Sequence, residues 1–274
     1  MSDKFDELAD EADQVGYRHR DIDMFFNIRE IFQSIIYEKI YIDALNSILR
    51  DVAKNSIPVT ARTTAGSFIL LRSSEILNWS LIFHHVTSQY LYLTPVHAFQ
   101  APVSVDHGLV TIFKIDHKIS FDTFEPGVTL DRTQSLIATS SSIIAKDGRS
   151  EILDWTPANN GICVTLRVNS EPLERFEWSF DRSSGRALGI GPIDALDSNL
   201  TTTFDLIAAV GSRSSLEAVE PFTVHPAHYV RWKAIQTLAT ICPDAGRAAL
   251  LSAHDDIHPE VREAARRTEE ALSV

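Results

Sequence analysis

The stretch His225-Pro226-Ala227-His228-Tyr229-Val230-Arg231-Trp232-Lys233-Ala234 decides the reading of the C-terminal part of the chain, because its core comes back. Val230-Arg231-Trp232-Lys233-Ala234 aligns with Val261-Arg262-Glu263-Ala264-Ala265 at an interval of 31 residues, and His258-Pro259 precedes the second copy as His225-Pro226 precedes the first. Proline is favoured at the first position of a helix, so each copy reads as a helix start. Between them Pro243-Asp244 opens a further helix over Ala245 to Ala253. Self-similarity at this period marks stacked helical units, none of which buries its apolar face alone. Just upstream, Leu200, Phe204 and Ile207 give one amphipathic face ended by Gly211, and Ser214-Ser215-Leu216-Glu217 has capping-box spacing.

Before Asp194 the pattern is different. From about Thr60, short β-branched and aromatic runs alternate with turn signals: Gly66 to Leu71, Ile76 to Val86, Tyr90 to Leu93, Leu109 to Ile115 and Ile162 to Val168. That spacing predicts an antiparallel sandwich or barrel, since no long helical pattern separates the runs. Asp147-Gly148 predicts a hairpin joining Ser142-Ile143-Ile144 to Glu151-Ile152-Leu153, and Asp181 to Gly185 predicts another between Phe176 to Phe180 and Ala187 to Ile190; of the two, Asp-Gly is the stronger signal. Earlier still, Phe25, Ile28, Phe32, Ile35, Tyr41, Leu45, Ile48 and Val52 recur at helical spacing, which predicts one helix over 23–54 ended by Ile57-Pro58. Its wide apolar stripe must be covered, by the chain's own β body or by a second copy in a homodimer through residues 23–54.

Composition removes several classes of function. The 274 residues carry a net charge of −12, and the arginines Arg262, Arg266 and Arg267 sit among glutamates, which leaves no basic field for nucleic acid. Met1 to Val15 holds six acids against Lys4 alone, so residues 1–15 are expected to be an acidic disordered segment. Cys163 and Cys242 are the only cysteines, which excludes a disulfide framework and fits a reducing compartment. With no membrane span and no signal peptide legible, the expectation is a cytoplasmic protein without a membrane partner.

The Val-Arg-x-x-Ala core behind a His-Pro start resembles HEAT-type repeats of the phycobilisome-lyase-like class, over about 225 to 272. The middle region, with its string of strands and the loop Phe124-Glu125-Pro126-Gly127 before Val128 and Leu130, resembles the cupin type of jelly roll. Cupins carry a His-x-His pair and a histidine after the Pro-x-Gly turn, whereas here His84-His85 is adjacent and no histidine follows Pro126-Gly127. The fold expectation is therefore an α+β multidomain chain. It comprises the acidic segment 1–15, a helical region 16–58, a jelly-roll domain 59–197 and a HEAT-like helical domain 198–274.

Two functions follow. The first is a non-catalytic interaction or regulatory protein that binds a protein or peptide partner through the repeat face and the β body, with His228, Arg231, Trp232 and Arg262 as partner-binding residues and no cofactor. Arg231 and Arg262 also have a structural reading, their stems packing between repeats. The second, implied by the cupin resemblance, is a metal-dependent oxygenase or isomerase. It would use one divalent transition metal (Fe, Zn or Ni) held by some of His84, His85, His97, His107 and His117. His225, His228, His254 and His258 form a second cluster, better explained by repeat geometry, since His225 and His258 both stand before proline. No nucleophile signature is present, so whether the protein is an enzyme stays open.

Overall fold

Leu77-Asn78-Trp79-Ser80-Leu81 alternates large apolar with small polar residues, and the strand it forms is the template for the N-terminal unit. In a computed structural model that describes residues 4–16, 25–55, 67–85, 88–104, 108–158 and 161–272, the chain divides into two compact units, Met1–Gly191 and Pro192–Val274. The architecture is mixed α+β with antiparallel pairing between neighbouring strands. Among the described residues no helix is long and apolar enough to cross a membrane.

In the first unit, β1 (Ser67–Ser73), β2 (Leu77–His84), β9 (Cys163–Ser170), β4 (Ala98–Pro102) and β7 (Ile144–Lys146) form one sheet in that order. A second sheet runs β11 (Ala187–Pro192), β10 (Phe176–Asp181), β3 (Tyr90–Leu93), and a third runs β6 (Asp131–Ala138), β5 (Gly108–Lys114), β8 (Glu151–Pro157). Helices α1 (Lys4–Gly16), α2 (Arg29–Tyr37) and α3 (Tyr41–Asn55), with the 3-10 turn Phe26–Ile28 before α2, supply Phe5, Ala9, Ile28, Phe32, Ile35 and Ala44 to a core shared with Trp79, Leu81, Phe99, Leu166 and Val168 of the five-stranded sheet. Each such side chain stabilises by roughly 1.5–3 kcal/mol on full burial. From Phe25 to Leu45 the apolar stripe thus meets the chain's own sheet, while Leu49 stays exposed. A separate core, with Leu93, Ile115, Ile152, Trp178 and Phe180, lies among the two three-stranded sheets and their loops.

Three local expectations change. The acidic opening segment is helix α1, because Ala9 and Ala12 stand at helical spacing from Phe5 and, being small, let the helix seat closely: all three are buried. On its other face Asp6, Asp10 and Asp13 converge on Arg72 of β1. The single helix expected over 23–54 is broken at Lys39, whose φ of 56° ends α2 in a Schellman-type turn, with the Ile40 amide on the Ile35 carbonyl at 3.1 Å and the Lys39 amide on Ile36 at 3.2 Å. The expected stop at Ile57-Pro58 lies outside the described residues. Finally, Asp147-Gly148 closes no hairpin, because β7 pairs with β4 while β8 pairs with β5 in another sheet. Gly148 is there for close approach, since a Cβ on it would stand 2.4 Å from the Val96 backbone. The weaker signal, Asp181 to Gly185, does form a turn between neighbouring strands, with Gly185 at φ 68°.

The second unit is helical: α4 (Ala195–Val210), α5 (Leu216–Val219), α6 (His228–Ile241), α7 (Pro243–Ser252) and α8 (Pro259–Leu272). Helices α6 and α8 start 31 residues apart, each after a short 3-10 segment whose exit residue has nearly the same backbone, His225 (φ −59°, ψ 145°) and Asp256 (φ −57°, ψ 145°). Arg231 donates to the carbonyls of His225 and Pro226, and Arg262 donates to those of Asp256 and Ile257. The counterpart of His225 is therefore Asp256, and that of His258 is Ala227; the shared His-Pro start was a coincidence of register.

Candidate functional site

Register sorts the five-stranded sheet into two faces, since side chains alternate along every strand. Trp79, Val168, Phe99 and Ala145 are partners across β2, β9, β4 and β7, and they sit on the face that the helices cover. The other face is polar. One row reads Asn78, Asn169, Ala98, Lys146; the next reads Ser80, Arg167, Gln100, Ile144; the third reads Ile82, Thr165, Pro102; and His84 with Cys163 ends the series. An inner face of a β body that served packing alone would be apolar, because each buried polar group costs free energy unless it is bonded.

Most of these groups are bonded. His84 shares a 3.0 Å hydrogen bond with Thr165 and stacks on Trp155 of β8 at 5.6 Å between ring centres, while the Trp155 indole donates to Gln100. Lys146 Nζ donates to the Thr94 carbonyl at 2.6 Å, and the Thr94 hydroxyl donates to Glu177 at 2.6 Å. Arg182 holds Asp154 with both arms of its guanidinium.

Two neighbours in one row are different. Arg167 Nε and Ser80 Oγ are buried atoms with no hydrogen-bond partner among the described residues, and Ser80 as a whole is 2% exposed. Arg167 is half-buried on a central strand whose other face is under helices. Burial pushes its guanidinium down to about 10, and no carboxylate opposes that shift. Burial first and the Arg167 charge second push Lys146 down to about 7, against the pull of Glu177, Asp147 and Glu151. His84 is pushed to about 3 by burial, then by Arg167 and His85, so it is neutral throughout the physiological range. Arg167 and Ser80 are thus neighbouring donors in one row, and Lys146, with the carboxylates Glu177, Asp147 and Glu151 acting on its charge, stands in the next.

The five histidines expected to gather around a metal are dispersed. His84 is on the polar face, whereas His97 is buried on the helix side against Phe25, with Nδ1 accepting from the Gly148 amide at 3.2 Å. His85 lies past the end of β2, exposed; His117 is exposed; and His107 lies outside the described residues. His84 and His97 cannot reach one ion from opposite faces of a sheet, so the cupin-type donor set does not fit these residues.

Among the described residues, one group of three possible ligands has its donor atoms within 4.8 Å of one another: His228, His258 and Glu260, in the helical unit. Distance admits a metal there, but direction opposes it. The two imidazoles stack face to face, 3.6 Å apart and 2° from parallel, so their in-plane lone pairs run side by side instead of converging. His258 Nδ1 also accepts from the Glu260 amide at 3.3 Å, capping α8. Of the residues expected to face a partner, Arg231 is buried, with its guanidinium bound to Asp256 as well as to the carbonyls before α6. Arg262 is exposed but occupied in the same carbonyl cap, and Trp232 is half-buried against Ile235, Leu250 and Val261. Arg231 and Arg262 therefore take the structural role.

No protein-family model matches the chain, and no curated protein matches its sequence. Among solved structures it is similar to Bacillus subtilis oxalate decarboxylase, a protein with Mn(II) centres, over 51% of this chain and 30% of that one, at 13% identity and a TM-score of 0.28. It is also similar to an RmlC-like cupin protein from Ralstonia eutropha, over 57% of this chain and 83% of that one, at 8% identity and a TM-score of 0.28. At such TM-scores neither likeness carries an inference about the site.

Proposed function

We propose that the N-terminal unit binds a small organic anion, a carboxylate or phosphate compound, on the polar face of its five-stranded sheet. The observation that carries the reading is the adjacent pair of unbonded buried donors, Arg167 Nε and Ser80 Oγ. Each such group costs about 1–3 kcal/mol when left unsatisfied, and a ligand with two acceptor oxygens relieves both at once. A metal-dependent cupin reaction has less behind it, because the histidine set it needs is split between two faces. The binding reading is independent of whether the body is named a jelly roll.

The test is a thermal-shift screen of the full chain against mono- and dicarboxylates, sugar acids and phosphate esters, followed by calorimetry. At least one class should raise Tm and bind saturably, and Arg167→Gln should weaken it by roughly 10- to 150-fold, as for loss of a charge-assisted bond of about 1.5–3 kcal/mol. A full screen without a shift, or a hit unaffected by Arg167→Gln, would reject the proposal.

For the helical unit, the HEAT-type reading is supported by the 31-residue correspondence of helix starts, exit backbone and arginine caps.

A further inference from the structure

The helical unit contains a groove of about 620 Å³ between the 3-10 segment before α6, the face of α6, and α7 with the corner that follows it. Its origin is local. Helix α7 presents Ala245, Ala248 and Ala249 to it, and such short side chains leave the space over Ile235 and Leu238 unfilled. The size lies within the roughly 300–1,000 Å³ of clefts that enclose a ligand or a few side chains.

Charge says what fits. The charged side chains lining the groove are Arg231, Asp256, Glu220 and Asp255. Arg231 and Asp256 neutralise each other in a buried pair. What remains is one exposed acid on each wall, Glu220 on the segment before α6 and Asp255 on the corner after α7, neither in an ion pair among the described residues. Beside them Val224 and Ile257, one from each of the two equivalent corners, are 81% and 86% exposed. Among the described residues they are the two most exposed large apolar side chains, and both line the apolar groove. A second copy of the chain would bring a net charge of −12 to an acidic groove.

The geometry points to a docking site for a short extended peptide segment of another protein, with two or three Leu-like side chains flanked by Lys or Arg. Its apolar side chains would lie over Ile235 and Ala249, and its cations would meet Glu220 and Asp255. Fluorescence anisotropy of the full chain with a labelled Lys-Leu-Leu-Arg-Leu-Lys peptide tests this, with Glu-Leu-Leu-Glu-Leu-Glu as control. The basic probe should bind saturably and weaken as salt rises, and the control should not bind. The double variant Glu220→Gln/Asp255→Asn should weaken binding about three- to tenfold, as for two exposed charge contacts. Val224→Ser/Ile257→Ser should weaken it comparably without lowering Tm, because both side chains are already in solvent. Arg167→Gln should bind the peptide like the native chain, which separates this site from the anion site. Absence of saturable binding, equal binding of the acidic control, or unchanged affinity in both double variants would overturn the assignment.

Discussion

At the scale of single residues, Lys146 and Arg167 show how a charge state can be set by position. Lys146 lies one row from Arg167 on the same face, and burial together with that neighbouring cation brings its amine to about 7. A bound anion favours the ammonium form, so affinity should be higher below pH 7 and fall as pH rises through it. In Lys146→Met that dependence should be flat between pH 6 and 8; an unchanged profile in the variant would remove Lys146 from the site. The same shift acts on stability with a fixed sign. Because the folded value lies below the ordinary 10.5, the native state binds fewer protons than the unfolded one between about 7 and 10.5, and this residue's contribution to stability rises with pH across that window. Neither residue stood out in the sequence. Cys163-Val-Thr-Leu-Arg-Val-Asn169 alternates like a strand with one solvated face, and nothing local shows that β9 is central in a five-stranded sheet with helices on its apolar side.

At the scale of elements, legibility depended on whether the decisive partner was near in sequence. The β-rich middle, the run Tyr90 to Leu93 and the helix ended by Gly211 could be read from alternation, periodicity and a terminal glycine. The break at Lys39 could not, because a lysine at positive φ leaves no residue signature. The opening helix is illegible for a related reason: its acids have the pattern of a solvated segment, and the Arg72 that gathers three of them lies some sixty positions away. Since Phe5 packs edge-on to Trp79 at 5.7 Å and Ala9 is fully buried, this helix belongs to the core. Removing residues 1–16 should therefore lower Tm, and Ala9→Leu should destabilise by about 1–3 kcal/mol through overpacking. Denaturant melts that leave both forms at the native midpoint would show α1 to be an ornament.

At the scale of the whole molecule, the buried carboxyls Asp154 and Glu177 of the β unit and Asp256 of the helical unit should respond to acid in opposite directions. Every hydrophobic cluster draws its residues from one unit, so each has its own core. In the helical unit, burial alone would raise Asp256, but hydrogen bonds from Arg231 and from the His258 amide outweigh it and hold the carboxyl below its ordinary 3.8. A lowered folded value means stability that is present above about 3.8 and lost as pH falls through the folded value. In the β unit, burial raises Asp154 and Glu177 despite Arg182 beside the first and Thr94 and Lys146 beside the second. Those two carboxyls are strained when ionised, and protonation relieves them as pH falls towards their ordinary values. Peptide-level hydrogen exchange along an acid series, corrected for intrinsic rates, should thus show α6 and α8 losing protection before β9. Asp256→Asn should reproduce that loss at neutral pH, at a cost of about 3 kcal/mol for an arginine left buried without its partner. Protection lost first in β9, or α6 unmoved by Asp256→Asn, would mean that the Arg231–Asp256 pair does not hold the helical unit together.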